Sequence, residues 1–259
     1  MNFIDTHAHL YLPEFDTDRD QIIERALESN VNKIILPNID QKTLANVISM
    51  STKYPGICFP SFGLHPCDAK SDFESILAAM EIHLSDTQFV AIGETGTDAY
   101  WDTSFWNEQV KAFSIQLEWA KNSNRPIIIH SRETIPQNIE FVRNHQNGNL
   151  RGVFHCFTGT FEEAQQIIDL GFHLGIGGVL TYKTSELKSI LPKLSLKHLI
   201  LETDAPFLTP VPYRGKRNES SYIPLIAQKL SEILEISIED IAQQTSANAN
   251  SLFKIDQID

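Results

Sequence analysis

The stretch Pro126-Ile127-Ile128-Ile129-His130-Ser131 sets three consecutive β-branched apolar residues directly before a histidine. β-Branched side chains favour an extended backbone, and an unbroken apolar run suits a strand covered on both faces, as in a parallel sheet. The pattern recurs along the chain. Strands are expected at Phe3–His9, Lys33–Asn38, Cys58–Pro66, Phe89–Gly96, Pro126–Ser131, Gly152–Gly159, Phe172–Val179 and His198–Pro206. Helical patterns lie between them. Asp16–Asn30 places Ile22, Ile23, Ala26 and Leu27 on one face, and Phe105–Asn122 carries Val110, Phe113, Leu117 and Ala120 at helical spacing. Thr160–Leu170 opens on the capping-box pair Thr160 and Glu163 and stops at Gly171, and Ser221–Ile236 and Ile238–Phe253 add two further helices. Eight strands alternating with helices in 259 residues predict an α/β TIM (β/α)8 barrel, one domain spanning residues 1–259. A doubly wound open sheet is the alternative, but no glycine-rich dinucleotide signature follows the first strand.

Composition narrows the function. With 21 Lys plus Arg against 33 Asp plus Glu, the net charge is −12, and the chain has no overall positive field for gripping duplex nucleic acid. Any phosphate would have to be held locally, by metal ions or a small basic patch. The 42% apolar share is that of a globular protein. No apolar run approaches the ~18 residues that a membrane helix needs. The opening Met1-Asn2-Phe3-Ile4-Asp5 shows no export signal, and the three scattered cysteines form neither a disulfide framework nor a CxxC zinc site. A cytoplasmic location without membrane attachment is expected.

The ends of the strands carry the chemistry. The first ends Asp5-Thr6-His7-Ala8-His9, where period-two alternation points both histidines to one side. The fourth ends on Glu94 between glycines at Gly93 and Gly96, the fifth on His130, the sixth on His155, and the eighth runs through Glu202 to Asp204. In a barrel these positions surround one mouth. An isolated His-x-His is a weak signal. Six imidazoles and carboxylates buried together without a counter-ion would cost too much desolvation, so a metal centre is expected. Four imidazoles and two carboxylates suffice for two metals sharing a bridging carboxylate.

These segments, together with Phe62-Gly63-Leu64-His65-Pro66, Phe154-His155-Cys156-Phe157-Thr158-Gly159, Leu201-Glu202-Thr203-Asp204-Ala205-Pro206 and Tyr213-Arg214-Gly215-Lys216-Arg217-Asn218-Glu219, resemble the TatD-type metal-dependent deoxyribonucleases of the amidohydrolase superfamily. The resemblance spans essentially the whole chain. It implies one metal held by His7, His9 and Asp204, and a second held by His130 and His155, with Glu94 bridging. It also implies two divalent ions (Mg²⁺, Mn²⁺ or Zn²⁺), 3′→5′ exonuclease activity on single-stranded DNA or RNA ends, and a link to DNA repair. His65 matches a phosphate-contacting position. Two such ions would lower the pKa of a bridging water to give a nucleophilic hydroxide near neutrality, with Asp204 accepting its proton. Glu94, Asp204 and His65 are thus the expected catalytic residues, and Arg132 with the basic loop Arg214, Lys216 and Arg217 the expected phosphate contacts. Weak binding to strand ends is expected, by a monomer.

Some residues depart from the family pattern or keep ordinary explanations. Thr95 and Thr97 stand where the family has apolar residues, Ala99 precedes Tyr100, and Asn218-Glu219-Ser220 replaces Asn-Glu-Pro. Both changes are expected to alter loops at the mouth. Glu202 and Asp5 are candidates for orienting histidines, Asp98 for capping a loop, and Cys156 for packing. Tyr100, Trp101 and Trp106 are equally suited to stacking on a base and to packing at a helix start. The rival functions are an amidohydrolase or phosphoesterase of a small molecule, and a metal-stabilised binding protein without activity. Many amidohydrolases use a modified lysine where this chain has Glu94, and an inactive descendant need not keep both halves of a metal centre.

Overall fold

The computed structural model describes residues 1–257. Eight strands form one parallel sheet in the order of the chain: β1 (Phe3–Asp5), β2 (Val31–Leu36), β3 (Cys58–Phe62), β4 (Ala91–Asp98), β5 (Ile127–Arg132), β6 (Gly152–Phe154), β7 (Phe172–Ile176) and β8 (Leu199–Leu201). Each strand pairs with its successor. That order excludes the doubly wound sheet, whose strand order reverses at a switch point. The sheet closes between the segments that follow β1 and β8, through a parallel bridge from Ala8 to Ala205. His9 N–H donates to the Ala205 carbonyl at 2.7 Å and Asp204 N–H to the His7 carbonyl at 2.8 Å.

Period-two alternation divides the apolar residues into two layers. Ile4, Ile35, Phe59, Ala91, Ile128, Val153 and Ile200 meet inside the barrel, where Leu252 and Phe253 also pack. Their neighbours in the strands, such as Ile34, Ile127, Ile129 and Leu201, face the outer helices. These are α1 (Arg19–Glu28), α2 (Leu44–Lys53), α3 (Phe73–Met80), α4 (Trp106–Ser123), α5 (Ile135–His145), α6 (Phe161–Asp169), α7 (Leu187–Ile190), α8 (Ile223–Leu234) and α9 (Ile238–Phe253). The capping box at α6 is formed in full, and the expected bounds of α9 hold. Leu27 departs from its expected place: it lies at the edge of the α1 face and is 39% exposed, while Ile22, Ile23 and Ala26 are buried. Among the described residues no helix is long and apolar enough to cross a membrane.

Several strands stop short of the expected bounds. β1 ends at Asp5 and β8 at Leu201. Beyond those points the chain leaves regular pairing, which frees the residues at the mouth from strict alternation.

Candidate metal centre

Glu94 lies at the middle of the mouth, fully enclosed, and its two oxygens face different partners. On one side, Oε2 lies 3.2 Å from His7 Nε2 and 3.4 Å from His9 Nε2. Both imidazole nitrogens are also 3.6 Å from Asp204 Oδ1 and 3.1 Å from each other. On the other side, Oε1 lies 2.9 Å from His130 Nδ1 and 2.9 Å from His155 Nε2, which are 3.4 Å apart. Donors arranged about an ion at ~2.1 Å stand about 3.0 to 3.4 Å apart, in octahedral or tetrahedral geometry. Both donor sets, at 2.9 to 3.6 Å, lie close to that spacing. Their chemistry, imidazole nitrogen with carboxylate oxygen, suits zinc or manganese, and magnesium at the carboxylate-rich side.

For His9 and His130 the outer nitrogen fixes which atom the ring presents. His9 Nδ1 donates to the Pro37 carbonyl at 3.2 Å, so its Nε2 lone pair faces Glu94 and Asp204. His130 Nε2 donates to Asp98 Oδ2 at 2.9 Å, which leaves Nδ1 for the centre. Glu202 Oε1 sits 3.5 Å from His155 Nδ1. Asp5 acts on the backbone instead. Its Oδ1 accepts from the N–H groups of His7 (3.3 Å) and Thr203 (2.9 Å), tying the two segments that carry His7 and Asp204. Burial pushes the Asp5 carboxyl up to about 7 despite those bonds.

The electrostatics ask for positive charge. Burial alone would raise Glu94, yet the imidazoles of His155, His7 and His65 and the hydrogen bond from His130 hold it well below the usual carboxylate range. Burial likewise disfavours charge on His9, but Asp204 and Glu94 outweigh it and push the imidazole up to about 9. His155 is driven well above its ordinary value against burial, by Glu94 and Glu202. Two ionised carboxylates among inward-facing lone pairs are satisfied by bound cations. The groupings His7–His9–Glu94, His7–His155–Asp204 and His65–Glu94–His130 each bring three such atoms within reach of one ion.

His65 belongs to the last grouping by distance, with Nε2 3.5 Å from Glu94 Oε1 and 3.3 Å from His130 Nδ1. Its tautomer assigns it a different part. Nδ1 accepts the Cys67 N–H at 3.1 Å, so the neutral ring carries its proton on Nε2. A nitrogen bearing a proton cannot ligate. It points a donor into the mouth.

A strand irregularity turns Glu94 inward. The register of β4 against β5 shifts between Ile92 and Thr95. Beyond it Glu94 and Asp98 face the mouth, and Thr95 and Thr97 face the helices. Thr95 Oγ1 accepts from Gln116 Nε2 of α4 at 2.6 Å, and Thr97 Oγ1 donates to Asn138 Oδ1 of α5 at 2.7 Å. The expectation that these threonines alter a mouth loop is therefore corrected: they are buried on the helix side of the strand and paired there. Gln116 also accepts from Leu64 N–H at 2.8 Å, and Asn138 Nδ2 donates to the His130 carbonyl at 2.8 Å. The two amides thus lock the strand ends that bear His65, Glu94 and His130. Their signal was present in the sequence, because Gln116 shares the helical spacing of Ala112, Phe113 and Ala120, and Asn138 that of Ile135, Ile139 and Val142. The second departure, Ser220, is fully buried at the start of the turn that leads into α8, and the retained Glu219 before it pairs with Arg25 through Nε at 2.9 Å and a terminal nitrogen at 2.7 Å.

Gly96 permits the close approach of β4 to β5. A Cβ there would fall 2.1 Å from the His130 carbonyl oxygen, and its φ is +135°. Gly96→Ala is expected to cost about 3 kcal/mol or more by forcing the strands apart. Urea unfolding and metal content should fall together, since Glu94 and His130 sit on the displaced strands.

The mouth opens into a cavity of about 600 Å³, within the range of small-molecule sites. Arg132 lines it with His65, Glu94, His130, His155 and Asp204, but the basic loop after β8 does not. Arg217 is turned away: its guanidinium donates to Asp18 Oδ1 at 2.9 Å and Oδ2 at 2.6 Å, and lies 4.6 Å from the Phe15 ring. Arg214 stacks over Tyr182 at 4.1 Å, and both it and Lys216 are exposed. The residues that sequence reasoning missed are Ile39, Cys67, Asp68, Phe207 and Leu208 on the cavity wall. No spacing marked them, because loop geometry brings them in. Cys156 presents its amide to the site, donating to Glu202 Oε1, with φ at +47°.

Known proteins resemble this chain over nearly its whole length. A family model described as TatD related DNase matches residues 4–254. The chain is 38% identical over 252 residues to the uncharacterized metal-dependent hydrolase YabD of Bacillus subtilis (strain 168), covering 97% of this chain and 98% of that one. It is 31% identical over 258 residues to the 3′-5′ ssDNA/RNA exonuclease TatD of Edwardsiella piscicida, covering 97% and 99%. The crystal structure of YJJV, a TatD homolog from Escherichia coli K12, superposes with a TM-score of 0.89 at 31% identity, covering 97% and 98%.

Proposed function

The chain belongs to the TatD-related DNase family of metal-dependent hydrolases, and from that premise we propose that it hydrolyses phosphodiesters at the ends of single-stranded DNA, and of RNA. The observation that carries this reading is the division of Glu94 between two donor sets, one on each carboxylate oxygen. Two ions bound there would polarise a phosphoryl oxygen and lower the pKa of a water.

The chain's own groups supply the remainder. Glu94 fixes the separation of the two donor sets. Asp204, buried but held ionised by its pairing with His9 and by His7 and His155, is able to receive the proton of the attacking water. His65 donates its Nε2–H to a phosphate oxygen, and Arg132 at the rim offsets the charge of the next phosphate. With Arg217 engaged by Asp18, the positive field near the cavity is small. Binding is therefore weak, and depends on the metal and on access to a strand end. The name of the Edwardsiella piscicida relative supports the substrate class.

The test measures Mg²⁺- and Mn²⁺-dependent release of nucleotides from 3′- and 5′-end-labelled single strands. Release from the 3′ end is expected, and Asp204→Ala should slow it by about 10³-fold or more, since it removes both a ligand and a proton acceptor. Turnover of a small phosphoester or amide with no release from DNA or RNA would move the assignment to a small-molecule hydrolase.

A further inference from the structure

Two aromatic rings stand at the cavity rim with no packing role to explain them. Trp101 is 68% exposed and Tyr100 50%. Large apolar side chains exposed side by side mark binding surfaces more often than ordinary surface. The two rings meet edge to face at 5.0 Å, and the Arg132 guanidinium lies 3.8 Å from the centre of the Tyr100 ring and 5.3 Å from that of Trp101. Trp101 and Arg132 line the same cavity as Glu94, His130 and Asp204.

What holds this ledge is a single carboxylate. Asp98 Oδ1 accepts the N–H groups of Tyr100 at 2.8 Å and Trp101 at 3.0 Å, while Oδ2 accepts from His130 Nε2 at 2.9 Å. Asp98 itself is fixed from behind, its N–H donating to Gln109 Oε1 at 2.9 Å. Ala99 N–H donates to the Arg132 carbonyl at 3.0 Å, which joins the ledge to the end of β5. The exposed rings therefore keep a set distance from the metal-facing nitrogen of His130.

Resting on the nuclease reading, we propose that Trp101 and Arg132 form a stacking subsite for the nucleobase beside the scissile phosphate, and that Asp98 is the positioning residue that ties this subsite to His130. An indole face accepts any base, because every base has a π-face, and the neighbouring guanidinium complements the strand's negative backbone. The subsite gives affinity for nucleotides over bare sugar–phosphate without selecting a sequence.

The test compares binding of a fluorescein-labelled phosphorothioate oligothymidylate and of an abasic oligomer of equal length to the metal-loaded protein. Wild type is expected to prefer the base-bearing strand by about 10- to 100-fold, as stacking on one aromatic ring supplies. Trp101→Ala should bring the two affinities together, and Trp101→Phe should restore most of the preference. Asp98→Asn still accepts both backbone N–H groups but loses the acceptor for His130, so it should keep the preference while hydrolysis falls by about 10- to 100-fold. Asp98→Ala should lose the preference as well, a split that a general loss of stability would not produce. Equal affinities in wild type, or an unchanged preference in Trp101→Ala, would overturn the subsite even if DNA is hydrolysed. A Trp101-dependent preference in a protein that releases no nucleotide would uphold the subsite and overturn the nuclease reading instead.

Discussion

Glu94→Ala is expected to abolish hydrolysis, by more than about 10³-fold, and to leave less than one tightly bound metal ion per chain. The two oxygens of Glu94 divide between the donor sets: Oε2 faces His7 and His9, Oε1 faces His130 and His155. Its removal takes one ligand from each set and the link that spaces them. Residues that only orient a ligand typically change metal affinity or activity by 10- to 100-fold, so the two classes separate by magnitude. Elemental analysis of the desalted protein, beside the strand-release assay and circular dichroism as a folding control, checks the prediction. A variant that keeps its full metal content would show that the bridging role is wrong.

Stripping the metal should lower the thermal midpoint by on the order of 10 °C. An ion that binds only the folded state at a thousand times its Kd stabilises it by ~4 kcal/mol. For a chain of this size ~1 kcal/mol corresponds to about 2–4 °C. The apo centre would retain ionised Glu94 and Asp204 among buried imidazoles, with His9 pushed up to about 9 by those carboxylates. Protons can partly replace the ions there, so a folded apo protein is expected rather than an unfolded one. Differential scanning calorimetry with EDTA, then with Mn²⁺ or Zn²⁺ restored, measures the shift. The same additions should move the midpoint of Glu94→Ala far less. A wild-type midpoint indifferent to metal would contradict a centre built from these residues.

Much of this was legible in the chain. The run Ile127-Ile128-Ile129 before His130 announced a covered strand with a polar residue at its end, and eight repetitions of that pattern announced the barrel. The helices α2, α3, α5 and α7 are not among those that the sequence pattern predicts. α5 opens with Ile135-Pro136 and keeps Ile139 and Val142 at helical spacing, but it is short and rich in polar residues, so its apolar face is a weak signal. The expected bounds of β1, β6 and β8 run too far because they include the polar, chemistry-bearing residues at the mouth, whereas ladder pairing stops at Asp5, Phe154 and Leu201. The basic loop shows a related limit: a run of charges is visible in sequence, whereas the partner that neutralises Arg217, Asp18, lies 199 positions away.

The sequence by itself determined the fold and the six groups at its mouth, because alternation and residue type are local properties. Only the tertiary structure decided how those groups are aimed. The register shift in β4 turns Glu94 inward and Thr95 and Thr97 outward, against simple alternation. Asp204 takes a left-handed backbone at φ +59° while its N–H bonds to the His7 carbonyl, which brings its carboxylate, rather than that of Glu202, to His7 and His9. The Cys67 N–H makes His65 a donor rather than a ligand, and Asp98 joins His130 to Trp101. Each of these depends on a hydrogen bond or a backbone angle that forms only when the closed barrel brings its strand ends together.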